Sequence, residues 1–415
     1  MPSTLTAAAA PESERAAHRD PDVLRWLGGF ASSAVGDNVY YIALSWAAVQ
    51  SGTAAQAGLV TAASALPRAL LMLGGGVVAD RYGPRRVVLG STAVRCALVL
   101  AAAGLLFATS PGLWVLGAVA VLFGVVDAVF LPAAGALPAR IAGPGQLARV
   151  QGMRGLAVRL ANVLGGPLGG LGVALGGTAG AFGLAALLMG VSLPLLLGVR
   201  VRRLAPQDVR PRDRALAELR DGLRHVRRDP VLRPLVLAAA LNDLGFVGPM
   251  NLGLTLLAQQ RHWGSAGLGL VLAGFGTGAG AASLLLTWRG RVPRAGVVTG
   301  TVTLLSAGAV AALARVPGVP AAVGVALVVG LTAGLSGALC GALVQTRAGA
   351  AYLGRVTAVS TLVGFGVAPL TFPVVGWSVA QWGTGPVFAA CAAVSGLGGA
   401  VVLGVRDLRR AELPR

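Results

Sequence analysis

The sequence predicts an all-α membrane protein of twelve transmembrane helices in two pseudo-symmetric six-helix bundles. Three observations predict it. Apolar runs of about 20 residues, each matching a hydrocarbon thickness of roughly 30 Å at about 1.5 Å per helical residue, recur along the whole chain. Hydrophobic residues make up 55% and charged residues 12% of the 415 positions, and mean hydropathy is +0.76. The positive charge falls in alternate loops.

The expected spans cover about 24–50, 55–79, 86–108, 112–135, 149–174, 178–199, 233–258, 265–288, 295–314, 318–344, 356–380 and 385–405. There are no lysines, and 29 of the arginines lie in or beside one alternating set of loops and the two termini. The opposite set holds only Arg261 and Arg315. This positive-inside asymmetry puts both termini in the cytoplasm and makes the formal charge of +19 a matter of topology. No aromatic-interleaved basic patch or zinc-finger spacing points to nucleic acid.

Residues 1–22 lack the short apolar core of a cleavable signal and read as a disordered cytoplasmic tail. Residues 23–200 form the N-terminal bundle and 233–405 the C-terminal bundle, with a second cytoplasmic tail at 406–415. The basic linker, 201–232, holds an amphipathic helix in which Leu216, Leu219, Leu223 and Val226 recur at helical spacing, suited to anionic lipid at the inner leaflet.

Sliding the sequence by 206 residues sets Asp37 on Asp243, Arg85 on Arg291, Pro111-Gly112 on Pro317-Gly318, Arg149-Val150 on Arg355-Val356 and Pro167 on Pro373. This predicts an internal duplication at one constant offset, with parallel halves flanking a central site.

No lysine means no phosphate-binding loop of the Gly-x-x-x-x-Gly-Lys type, which excludes ATP-driven work within this chain. His18, His225 and His262 sit in the tail or loops, and Cys96, Cys340 and Cys391 in separate spans, so no metal, cofactor or disulfide is expected.

Between spans 2 and 3 runs Gly76-Val-Val-Ala-Asp80-Arg81-Tyr-Gly83-Pro-Arg85-Arg86. In sequence and place this loop resembles the signature of the major facilitator superfamily. Leu66-Pro67-Arg68, the stretch from Phe123 to Ala133 and Gly166-Pro167-Leu168-Gly169-Gly170 resemble the branch of macrolide, multidrug and siderophore exporters. The resemblance covers about residues 24–405. It implies a monomeric, multi-pass protein of the cytoplasmic membrane that extrudes amphipathic small molecules in exchange for protons, amid membrane lipid. A lysophospholipid flippase or solute importer on the same fold is the alternative.

The same resemblance implies a gate. Asp80 is expected to meet the N-terminus of span 11 or Arg140, with Gly76 and Gly83 permitting close approach and a tight turn, and Arg81, Arg85 and Arg86 on the cytoplasmic rim.

Six ionisable residues lie deep in spans: Asp37, Arg68, Arg95, Asp127, Arg159 and Asp243. Each facing lipid would cost about 2.5 to 3.5 kcal/mol, so each is expected to face the interior and find a partner. Asp37, Asp127 and Asp243 are the candidate proton carriers, with Arg159 exchanging partners between states; Arg68 and Arg95 are expected to pair or pack. Ser33, Tyr40 and Tyr41 near Asp37, and Phe246, Met250 and Asn251 near Asp243, are expected to line an adaptable substrate pocket.

Overall fold

The computed structural model describes residues 17–109, 112–201, 212–289 and 292–411. Residues 1–16 of the tail, 202–211 of the linker, Pro111 and Arg291 of the repeat, and the last four residues lie outside the description. The described residues form helices and short connections, with no strand among them.

The first half holds α1 (Pro21–Ser51), α2 (Ala54–Tyr82), α3 (Pro84–Ala108), α4 (Leu113–Ala136), the short α5 (Pro138–Ile141) and α6 (Leu147–Leu197). Helix α7 (Arg212–Arg228) occupies the linker. The second half holds α8 (Leu232–Gly248), α9 (Leu254–Gln260), α10 (Gly264–Arg289), α11 (Ala295–Leu313), α12 (Val319–Trp382), α13 (Thr384–Gly404) and α14 (Arg406–Arg409).

Local chemistry sets several helix ends. The Asp20 carboxylate accepts from the Asp22 amide at 2.9 Å and opens α1, with Pro21 in the first turn. Thr53 and Gln56 form a capping box on α2. A π turn, Pro249–Gly253, joins α8 to α9 in one apolar stretch; it begins at a proline, which cannot donate to the helical ladder.

Nine helices among the described residues are long and apolar enough to cross a bilayer, ten if the arms of α2, bent by 63° between Met72 and Gly74, count together. Helix α1 is not one of the nine; Ser32, Ser33, Asp37 and Asn38 break its apolar run. Unbroken, the 51 residues of α6 would extend about 75 Å, more than twice the hydrocarbon thickness. Gly177 instead adopts φ 64°, ψ −167°, and α6 folds back so that a Cβ on Gly172 would stand 3.1 Å from the Ala181 Cα. Both legs pack on α1: Gly165 and Gly169 meet Asn38 and Ile42, while Met189 and Leu196 meet Gly36 and Gly29. Gly349, at φ 64°, divides α12 in the same way.

The halves repeat their packing, but not at one offset. Gly36 rests on Ala185 and Met189 as Gly245 rests on Cys391 and Ser395, which moves the first helix by 209 positions and its partner by 206. Gly58 meets Phe372 and Gly376 as Gly269 meets Gly166 and Gly170, an offset of 211 for α2 and α10. The buried Val87, Val88, Ser91, Thr92 and Arg95 of α3 match Ala295, Gly296, Thr299, Gly300 and Thr303 of α11, an offset of 208. Only α4, α6 and their counterparts keep 206. The π turn supplies part of the slip, since it inserts a residue into the helix, and differing turn lengths supply the rest. This corrects the constant register expected from sequence. The structural counterpart of Asp37 is Phe246, and that of Asp243 is Ala34.

Close contacts between the halves cluster towards one end. Gly58 lies against Pro373, and Gly170 against Gly269. The Ser45 and Thr255 hydroxyls bond at 3.0 Å, and Gln259 Nε2 donates to the Val49 carbonyl at 3.4 Å. The opposite end carries Asp80, α7 and Gly349. There α7 packs on α12, with the His225 and Tyr352 rings stacked 4.2 Å apart.

Candidate functional site

Four deep charges of the first half form one cluster. Arg95, fully buried on α3, donates from Nη1 to Asp37 Oδ1 at 2.7 Å and to Asp127 Oδ1 at 3.3 Å, and from Nη2 to Ser33 Oγ at 2.9 Å. Its guanidinium carbon lies 3.7 Å from the Phe130 ring centre. Arg68, on α2, donates to Asp127 Oδ2 at 3.5 Å and to the Tyr41 hydroxyl at 3.0 Å. Two carboxylates and two guanidiniums thus balance, as burial in the membrane requires. Asp127 bridges both arginines, whereas Asp37 pairs, among the described residues, with Arg95 alone and keeps 20% of its side chain exposed against 6% for Asp127.

Two cavities, of about 530 and 370 Å³, share Asn162, Phe246 and Phe275 in their walls. The smaller, towards the closed end, is lined by Tyr41, Arg68, Met250 and Asn251. The larger reaches Leu235 and Gln345 near the Gly349 end and is lined by Arg159 and Asp243. The expected substrate residues therefore divide. Tyr41, Phe246, Met250 and Asn251 meet at the cavities. Ser33 is buried as a partner of Arg95, and Tyr40 is buried in the core, stacked 3.9 Å from Phe123. Arg159, expected to pair with Asp37 or Asp127, lies apart from them on the cavity wall; Arg95 fills that role. Asn38 and Asn162, joined at 3.3 Å, were not singled out, although an asparagine deep in an apolar run is a readable signal.

At the signature loop, Gly83 (φ 84°) makes the tight turn between α2 and α3, with Pro84 starting α3. The close approach is made by Gly75, where a Cβ would stand 3.0 Å from the Val129 Cα, while a Cβ on Gly76 would meet nothing within 4 Å. Arg85 donates to the Leu197 carbonyl at 2.8 Å and Arg25 to the Gly198 carbonyl at 3.3 Å, so two cations close the C-terminus of α6. Arg81 lies over the Tyr82 ring and Arg86 is exposed. Asp80 is exposed and forms no ion pair with Arg140.

A profile described as Major Facilitator Superfamily matches residues 26–368. The chain belongs to this superfamily. It is a multi-pass membrane transporter, not an enzyme. This superfamily member is 29% identical over 355 residues to the multidrug efflux pump Tap of Mycobacterium tuberculosis (strain ATCC 25618 / H37Rv) and to that of Mycobacterium bovis (strain BCG / Pasteur 1173P2), covering 81% of this chain and 82% of each relative. Among solved structures, the nucleoside transporter NupG is similar at a TM-score of 0.70 and 14% identity, covering 93% of this chain and 100% of that one. The peptide transporter POT in complex with sulfate gives 0.71 and 14%, covering 95% and 96%. The human organic anion transporter MFSD10 gives 0.63 and 18%, covering 92% and 99%. At these identities the structures show a shared fold.

Proposed function

We propose that this transporter has twelve spans in two six-helix bundles and exports amphipathic drugs or natural products in exchange for protons. It works as a monomer in the cytoplasmic membrane, with both termini inside. The observation that carries the reading is a cavity sealed towards one end of the molecule, reaching towards the end that bears Asp80 and α7, and flanked by a buried ion cluster. The arginine bias makes that end cytoplasmic. Phe246, Phe275 and Met250 offer an adaptable wall for apolar bodies of varied shape. The similarity to a multidrug efflux pump supports export.

Asp37 is the proton carrier of the cluster, because it has one cationic partner and partial access, while Asp127 is held by two. A proton on Asp37 releases Arg95 to Asp127 alone and loosens α1 from α3. Closing the cytoplasmic end brings Asp80 to the start of the second leg of α12 or to Arg140; its exposure here fits the open state. The test is uptake of lipophilic cations, macrolides and tetracyclines into inside-out vesicles with an imposed pH gradient. Gradient-driven uptake is expected, reduced at least about tenfold by Asp37→Asn. No uptake of any compound, or full gradient-driven uptake by Asp37→Asn, rejects the respective claim.

A further inference from the structure

Arg159 and Asp243 are the two deep charges the ion cluster leaves out. Both line the larger cavity, Arg159 from the first leg of α6 and Asp243 from α8. No ion pair joins them, and among the described residues neither forms one elsewhere. Next to Asp243 on α8, the Asn242 side chain accepts from the Ser395 hydroxyl at 2.9 Å. Asp243 Oδ2 stands 3.6 Å from where a Cβ on Gly364 would be, so no side chain from that position shields it. Arg159 is exposed on the cavity wall. Phe246 and Phe275, with ring centres 6.1 Å apart, belong to the same wall.

Charges in a membrane interior are costly, and this protein neutralises four of its deep charges by direct contact. Two opposite charges left facing one cavity, without meeting, call for a ligand that neutralises both. We propose that the cavity selects zwitterionic amphipathic molecules: Arg159 takes the ligand's carboxylate or phosphate, Asp243 its ammonium group, and Phe246 and Phe275 its apolar body. A guanidinium suits a planar anion through paired hydrogen bonds. A ligand with only one charge leaves the other residue unpaired and is rejected for that reason. This rests on the transport reading and names its substrate class.

The test is equilibrium binding to the purified full-length protein in nanodiscs, without a gradient, so that loss of proton coupling leaves the result unaffected. The probes are a zwitterionic fluoroquinolone, its ethyl ester, which keeps only the cation, and its N-acetyl derivative, which keeps only the anion. The zwitterion is expected to bind at least about tenfold tighter than either. Arg159→Gln should weaken the zwitterion and the N-acetyl derivative about tenfold and spare the ester; Asp243→Asn should weaken the zwitterion and the ester and spare the N-acetyl derivative. Lysophosphatidylethanolamine displacing the probe better than lysophosphatidic acid would support the same recognition with a lipid as its source. Equal affinity for the three probes, an Arg159→Gln variant that weakens all three alike, or no binding of any probe or of lysophosphatidylethanolamine would overturn the proposal.

Discussion

The two halves solve the same packing problem with opposite chemistry. Aligned by their contacts, Asp37, Arg68, Arg95 and Asp127 of the first half correspond to Phe246, Ala279, Thr303 and Ala333 of the second. The first set is an ion cluster; all four members of the second line the larger cavity. One half thus fills its interior with compensated charge, and the other empties its interior into a chamber. A binding site and an ion cluster can therefore descend from one duplicated framework by exchanging four side chains, while the glycine contacts that hold the helices stay in place.

The strongest way to break this comparison is to make the first half like the second. Arg95→Met alone leaves two buried carboxylates without their shared cation and should cost about 3–5 kcal/mol of stability, read as a lowered thermal unfolding midpoint in detergent. Adding Asp37→Ala, Arg68→Ala and Asp127→Ala removes every charge of the cluster and should restore most of that loss, at the expense of the proposed gradient-driven transport. If the quadruple variant is no more stable than the single one, the four charges do not compensate one another as a unit.

A smaller effect sharpens the equivalence of the hairpin turns. Gly177→Ala and its counterpart Gly383→Ala force an L-residue to φ 64° and 77° with an extended ψ and should each cost about 1–3 kcal/mol. Clearly unequal costs in thermal unfolding would show that the two turns are not counterparts. The smallest effect concerns the neutral half. Thr303→Val removes a 2.7 Å hydroxyl bond to Ser336 and should cost about 0.5–1.5 kcal/mol, several-fold less than loss of its counterpart Arg95.

The site was legible in part. Six deep charges stand out in an apolar sequence, and four of them do meet. Their partners were not legible, because spacing along the chain does not fix how a helix is rotated or how far it has slid along its neighbour. Arg95, rather than Arg159, therefore holds the two acids. The Asp37–Asp243 match at 206 misled for a related reason: a π turn and unequal loops shift the numbering without disturbing the packing.

The sequence by itself determined that the chain is helical and membrane-embedded, and its arginine placement is the basis for the proposal that both termini are cytoplasmic. Those properties follow from apolar run length and arginine placement, which act locally and need no knowledge of neighbours. Only the tertiary structure decided which charges neutralise each other, that Tyr40 packs in the core while Tyr41 faces a cavity, and which end of the molecule is sealed. These depend on contacts between residues far apart in the chain, and a helix rotated by one residue, about 100°, would exchange them.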